Sequence, residues 1–324
     1  MQTRNAARLA HPVSVIGLGT WQLGADWGDV DEKDALAILE ASVESGVTIF
    51  DTADVYGDGR SERIIGQFIA THPDTFVATK MGRRLEQVPE NYSMANFRAW
   101  TDRSRANLGV DTLDLVQLHC PPTAVIESDE TFDNLDTLVA EGAIARYGVS
   151  VETVDQALAA IARPGVANVQ IILNAFRLKP LDAVLPAAIE AGVAIIARVP
   201  LASGLLSGKY RADTTFAAND HRNYNRTGEA FDVGETFSGV DFEQGVAAAQ
   251  EFSALAAAHD MTPPVAALAW LAQLPGVTTV IPGARTVAQA QSNASAGSVG
   301  ELDITPQITE LYDRYFRAAI HDRW

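Results

Sequence analysis

Eight times along its 324 residues, this chain runs a short Val/Ile-rich stretch into a longer amphipathic one. The short runs are VSVIGLG from Val13, VTIF, FVATK, LDLVQLH, IARYGVS, NVQIILN, VAIIARV and VTTVIPG. None alternates cleanly between apolar and polar residues, which is the pattern of parallel strands covered on both faces. The segments between them have helical spacing: in EKDALAILEASVESG, Leu36, Leu39 and Val43 share a face and Gly46 supplies a stop. In SERIIGQFIA, Ser61 reads as the N-cap. Eight parallel strand–helix units that close on themselves make a (β/α)8 barrel, the TIM-barrel architecture of the α/β class.

Two further helical patches, PPVAALAWLAQL and ITELYDRYFRAAI, fall outside the eight units. A polar insertion from about Tyr210 to Asp241 follows the seventh strand. It is too long for an ordinary connection, so it reads as a lid or binding loop. No break in composition marks a domain boundary, and the expectation is one barrel domain over residues 1–324.

The charge balance is 24 Lys+Arg against 41 Asp+Glu, a net charge of −17. Such a surface repels nucleic acid and anionic membranes. One cysteine, Cys120, excludes an internal disulfide framework and fits a reducing compartment. The N-terminal residues MQTRNAARLAHPVS lack the apolar core of a signal peptide, and no run reaches the ~18–20 apolar residues of a membrane span. The chain therefore reads as soluble and cytoplasmic. Its oligomeric state is not readable from these features.

Four polar residues stand where strand runs stop: Asp51 and Tyr56 in FDTADVYG, Lys80 in FVATK and His119 in LDLVQLH. Barrels mount their chemistry on the C-terminal ends of the strands. Taken singly, each is an ordinary loop residue; together, on three consecutive strands, they compose a tyrosine proton relay. A free phenol has a pKa near ~10 and donates poorly at neutral pH. An ammonium about 4 Å away favours phenolate by up to ~4 kcal/mol at an effective dielectric of ~20, about three pKa units. Lys80 is placed to supply that charge, Asp51 to hold it, and His119 to hydrogen-bond a substrate carbonyl.

The glycines of GLGTWQLG do not make a dinucleotide fingerprint, because Gln22 stands at the third glycine position and no helix opens there. Trp21 in that loop suits a pocket wall, as do Trp27, Val55 and Cys120. Cys120 has no second cysteine and no Cys–His–Asn order, so a wall is favoured over a nucleophile. The remaining histidines show no metal spacing, and no metal is expected. After strand 8, IPGARTVAQAQSN runs into a helix N-terminus carrying Arg285, an anion site by chemistry.

With these motifs in order, the chain resembles the aldo-keto reductases, particularly a bacterial branch also similar to potassium-channel β-subunits. GLGTW, FDTADVYGDGRSE, VATK, LGVDTLDLVQLH, GVS, PLASGLLSGKY and IPGAR carry the likeness over essentially the whole length. The resemblance implies NADP(H)-dependent reduction of an aldehyde or ketone, or the reverse reaction. It implies Tyr56 as general acid, Lys80 as the modulator of its pKa, Asp51 as partner of Lys80, and His119 as the residue orienting the carbonyl. It places Ser150 and Gln170 on the nicotinamide carboxamide. Pro200, Leu201, Ser203, Gly204, Leu205, Ser207 and Lys209 would wrap the pyrophosphate. Gly283, Arg285, Gln289 and Asn293 would hold the adenosine end, with Arg285 nearest the 2′-phosphate. Gly19, Thr20, Trp21, Asp51 and Ile281 complete that site.

Three positions depart from the family pattern. Val151 follows Ser150 where many members have asparagine. Arg198 ends strand 7 where many place an aromatic ring against the nicotinamide, although a planar guanidinium also stacks. Gly283 stands where some members use a phosphate-binding lysine, so the anion site leans on Arg285. Two rivals remain: a cofactor-bound regulatory or partner-binding subunit with little turnover, and an aldolase using Lys80 as a Schiff-base amine.

Overall fold

The computed structural model describes residues 1–24, 30–218 and 220–324, which leaves Trp27 outside the described residues. Its sheet contains eight parallel strands in sequence order: β1 (Leu18–Gly19), β2 (Ile49–Asp51), β3 (Phe76–Met81), β4 (Leu115–His119), β5 (Tyr147–Ser150), β6 (Val166–Ile172), β7 (Ala194–Arg198) and β8 (Val277–Val280). Parallel bridges from Ile16 to Val280 and from Gly19 to Gly283 join the last strand to the first. The sheet is therefore a barrel.

The run from Val13 was expected to be one strand, but the structure divides it. Val13–Ser14 turns aside to pair antiparallel with Thr3–Arg4, and only Leu18–Gly19 enters the barrel ladder. Burial accounts for the division. Leu9 and Val13 pack with Ile49, Phe76, Leu115 and Ile196 in an apolar cluster distinct from the main core. A continuous strand from Val13 would leave that apolar surface without its cover, at ~25 cal/mol per Å2.

The helices after the strands begin on local signals. Helix α1 (Glu32–Glu44) is capped by Asp31, which accepts from the Asp34 N–H at 2.7 Å. Helix α5 (Val154–Ile161) opens on a Thr153–Gln156 capping box. Between these in sequence lie α2 (Arg60–Ile69), α3 (Met94–Leu108) and α4 (Asp129–Ala140). Then come α6 (Val184–Ala191), α7 (Phe242–Ala257), α8 (Pro263–Gln273), α9 (Val287–Ser295) and α10 (Thr305–Tyr315).

Ser61 is not the cap of α2; Gly59 is, and Ser61 lies inside the helix. Its hydroxyl is buried against Thr20, 2.9 Å from Thr20 Oγ1, and so ties α2 to the loop after β1. Local sequence marked a polar helix start, but the tertiary contact claims that hydroxyl. No helix among the described residues is long and apolar enough to cross a membrane.

Candidate active site

The barrel's interior changes from apolar to polar at the C-terminal ends of its strands. From mid-strand upward, Asp51, Lys80, Gln117, Asn168 and Gln170 meet inside the barrel, none more than 3% exposed. The Lys80 ammonium bonds to Asp51 Oδ1 and donates to the Thr52 carbonyl at 2.9 Å. Asp51 Oδ2 accepts from Gln117 Nε2 at 3.0 Å and Gln170 Nε2 at 2.8 Å. Asn168 donates to Gln117 Oε1 at 2.8 Å and closes the network. Isolated buried charges are prohibitive; this ion pair persists because its remaining hydrogen-bonding capacity is filled.

Tyr56 lies above this layer, its hydroxyl oxygen 3.5 Å from Lys80 Nζ. Its loop is held by backbone contact: Gly57 has φ +58°, and a Cβ there would come within 2.1 Å of the Gly24 carbonyl oxygen. Trp21 stacks on the Tyr56 ring at 5.9 Å and 18° between planes, and His119 meets it edge-on at 6.0 Å. Cys120, just past His119, has φ +49°, an uncommon conformation for a residue with a Cβ.

Burial raises the Tyr56 pKa above its ordinary value, and the neighbouring ammonium only partly offsets it. The depression expected from Lys80 therefore does not prevail here, because desolvation of the phenolate outweighs a charge worth up to ~5 kcal/mol at 3.5 Å. Burial works against the Lys80 ammonium too, but Asp51 and Tyr56 more than compensate, and its pKa is raised. His119 is held well below its usual value by burial and by the charges of Arg83, Lys80 and Arg198. Its imidazole is neutral. Burial and Glu152 push the Cys120 thiol up to about 12, so it does not form a thiolate at neutral pH.

A cavity of about 830 Å3 runs from these groups along the barrel mouth to α9. Asp51, Tyr56, His119 and Trp21 line one end, while Lys80 lies beneath it. Ser150, Gln170, Arg198 and Ile281 also line it, with Gly19 and Thr20. The segment after β7 contributes Pro200, Leu201, Ser203, Gly204, Ser207 and Lys209. Leu205 of that segment turns inward instead, fully buried against the position of Gly245. Its backbone is unusual: Val199, Ala202 and Ser203 all have φ between +47° and +53°. Such conformations cost of order 1–3 kcal/mol each and concentrate where ligands are held.

At the far end are Gly283, Arg285, Gln289 and Asn293. Arg285 is exposed and in no ion pair among the described residues; its backbone N–H donates to Gln289 Oε1 at 2.8 Å. Asn293 donates to the Gly283 carbonyl at 3.1 Å. Val55 and Cys120 are not among the lining residues.

Sequence reasoning missed a cluster of charges near Tyr56 and His119. Arg198 Nη2 lies 2.9 Å from Glu152 Oε2 and 3.2 Å from the Val151 carbonyl, and its Nη1 is 3.6 Å from Glu235 Oε1. Arg83 reaches the same Glu235 oxygen at 3.1 Å. Burial opposes the charge on Glu235, but the two guanidinium groups win and hold its pKa down to about 2. Ligand atoms of Cys120, Glu152 and Glu235 lie within 4.8 Å of one another, and Arg198 already supplies a cation among them. Arg83 follows Lys80 by three residues, so its place at a strand end was a usable signal. Glu235 sits in the insertion, where no periodicity points inward. Tyr210 and Arg222 of the insertion also line the cavity.

A family model described as the aldo/keto reductase family matches residues 15–311. An uncharacterized oxidoreductase of Mycobacterium tuberculosis is 33% identical over 299 residues, covering 89% of this chain and 85% of that protein. A probable voltage-gated potassium channel subunit beta of Arabidopsis thaliana is 28% identical, over 96% of this chain and 94% of its own. Among solved structures, an aldo-keto reductase of Klebsiella pneumoniae in complex with NADPH superposes with a TM-score of 0.71 at 23% identity, covering 97% and 96% of the two chains. With the eight-stranded barrel and a family match over nearly its whole length, this chain belongs to the aldo/keto reductase family.

Proposed function

We propose that the protein is an NADP(H)-dependent carbonyl reductase in which Tyr56 delivers the proton. The observation that carries this reading is Lys80, buried beneath the cavity and held between the Asp51 carboxylate and the Tyr56 hydroxyl. When bound, the dinucleotide supplies the hydride. Tyr56 supplies the proton: burial keeps it a neutral phenol, which is the form that donates. As phenolate develops, the fixed Lys80 ammonium stabilises it without reorganisation. Asp51 and its two glutamine donors keep that ammonium in place. Neutral His119 is the hydrogen-bond partner that orients the carbonyl oxygen toward Tyr56.

The residues present fit the cofactor. Ser150 and Gln170 line the cavity near Asp51, with polar side chains suited to a carboxamide. The strained turn at residues 199–204 brings its backbone to the cavity. Arg285, exposed at the start of the last barrel helix, offers a guanidinium to a phosphate. The NADPH complex of the Klebsiella protein supports the same choice.

The Schiff-base alternative is disfavoured, because Lys80 is buried, ion-paired and raised in pKa. A charged amine is a poor nucleophile. The regulatory-subunit reading draws on the channel-subunit relative. One experiment separates them: NADPH oxidation measured across aldehydes, ketones and sugars. Turnover with at least one is expected. Tight NADPH binding with no turnover across the panel would replace the reductase reading with the regulatory one.

A further inference from the structure

Trp324 lies on the back of the insertion, 7% exposed, with its indole N–H donating to Asp232 Oδ1 at 3.1 Å. The Arg177 guanidinium lies 4.1 Å from the centre of its ring. Together these two side chains fill the space behind residues 232–239. A Cβ on Gly239 would fall 2.2 Å from a Trp324 ring carbon, and one on Gly234 would fall 2.2 Å from Arg177 Nη1. Asp232 Oδ1 also accepts from the Gly234 N–H at 2.7 Å and so begins the turn Val233–Glu235.

That turn ends at Glu235, which lines the cavity with Arg198 and pairs with both Arg198 and Arg83. Arg177 also donates to the backbone carbonyl of Glu152 at 2.8 Å, and the Glu152 carboxylate in turn pairs with Arg198. Ser203 Oγ donates to the Glu235 carbonyl at 3.1 Å on the inner side of the turn. The outer side depends on Asp232 and the indole.

We propose that Trp324 is a positioning residue for substrate choice: through Asp232 it fixes Glu235 against Arg198, and this polar wall favours hydroxylated carbonyl compounds over alkyl ones. The inference rests on the carbonyl-reductase reading. Glu235, Arg198, Tyr56 and His119 line one cavity, and Glu235 and Arg198 both interact electrostatically with the Tyr56 hydroxyl, so a substrate at Tyr56 lies near the charged pair. A substrate hydroxyl can hydrogen-bond to that wall. An alkyl chain displaces water from it and returns nothing, and polar groups left unpaired in this way are the strongest discriminators an active site has. Such discrimination is sensitive to displacements of about 1 Å, so a turn released at Asp232 loses it.

The test compares glyceraldehyde with butanal as substrates for the full-length wild type and for Trp324→Ala, Trp324→Phe, Glu235→Gln and the Trp324→Ala/Glu235→Gln double variant. The wild type is expected to favour glyceraldehyde in kcat/KM. Trp324→Ala should lower the glyceraldehyde-to-butanal ratio about tenfold, mainly through the glyceraldehyde KM, as expected for one weakened charge-assisted hydrogen bond. Calorimetric NADPH affinity should change less than about threefold, because Ser203 keeps its contact. Trp324→Phe keeps the ring on Arg177 but loses the Asp232 bond, and it should fall between the two. The double variant should discriminate no worse than Glu235→Gln alone, since both changes act on one wall.

Additive losses in the double variant, or a wild type that favours butanal, would overturn the proposal. So would equal loss of both aldehydes and of NADPH affinity in Trp324→Ala, which marks a structural role only. A wild type that reduces neither aldehyde but turns over another carbonyl also overturns it and leaves the reductase reading standing. Absence of any turnover sinks the reductase reading itself.

Discussion

The Lys80 ammonium nitrogen stands 3.5 Å from the Tyr56 hydroxyl oxygen, with Asp51 bonded on its other side. Burial is the larger influence on the phenol, so Tyr56 enters the proposed reaction protonated and Lys80 acts mainly on the phenolate that forms. Removing only the hydroxyl, Tyr56→Phe, is expected to lower kcat by ~10²–10⁴-fold. NADPH affinity should stay within a few-fold. Single-turnover kinetics check this, and a loss below about tenfold with chemistry rate-limiting would remove Tyr56 from its role.

Lys80→Met strips the positive charge from beneath Tyr56 and strands the Asp51 carboxylate in the barrel. Breaking a buried pair in this way typically costs ~3–5 kcal/mol, so both reduction rate and urea midpoint should fall. Asp51→Asn leaves the ammonium beside Tyr56 and should harm reduction less. The relay fails as an explanation if the folded asparagine variant is the slower of the two at neutral pH.

Arg285→Ala should weaken NADPH binding roughly ten- to hundredfold, the equivalent of one charge-assisted hydrogen bond at ~1.5–3 kcal/mol. NADH, without a 2′-phosphate, should bind almost unchanged. Titrating both cofactors against both proteins decides it. Equal losses would make Arg285 structural, and a wild-type preference for NADH would move the phosphate site elsewhere.

Asp54 is fully buried, and neither carboxylate oxygen has a hydrogen-bond partner among the described residues. Burial, reinforced by Glu62, raises its pKa to about 7. A raised carboxyl binds its proton more tightly when folded, so its contribution to stability is full below the unfolded pKa near ~4. That contribution is lost as pH rises, falling progressively until it levels off above 7. Asp54→Asn should therefore match wild type near pH 4 and exceed it at pH 8, by up to roughly 4 kcal/mol. Urea unfolding at the two pH values measures the difference. A variant less stable than wild type at pH 8 would show that Asp54 is ionised and stabilising.

Strand-end chemistry was the legible part of this protein. Asp51, Lys80 and His119 end apolar runs, and Tyr56 follows one within a short loop, so their presence at the barrel mouth follows from chain order and parallel topology alone. The helix in SERIIGQFIA was equally readable, but not the use of Ser61, because its partner Thr20 is 41 residues away. Most of the segment PLASGLLSGKY lines the cavity, as its small residues allow, but Leu205 is buried in the core, which its place in the run did not signal.

Periodicity and motif order by themselves determined the barrel, its family and the four residues at its mouth, because each depends on spacing along the chain. Tertiary structure alone decided the balance of forces at Tyr56, since burial and charge compete there and neither has a value until neighbours are placed. It also decided the ion-pair cluster of Arg83, Arg198, Glu152 and Glu235, drawn from four separate segments. The same holds for Trp324, which reaches Asp232 across 92 residues. Contacts at such separations are set by packing of the finished barrel, and no local pattern in the chain encodes them.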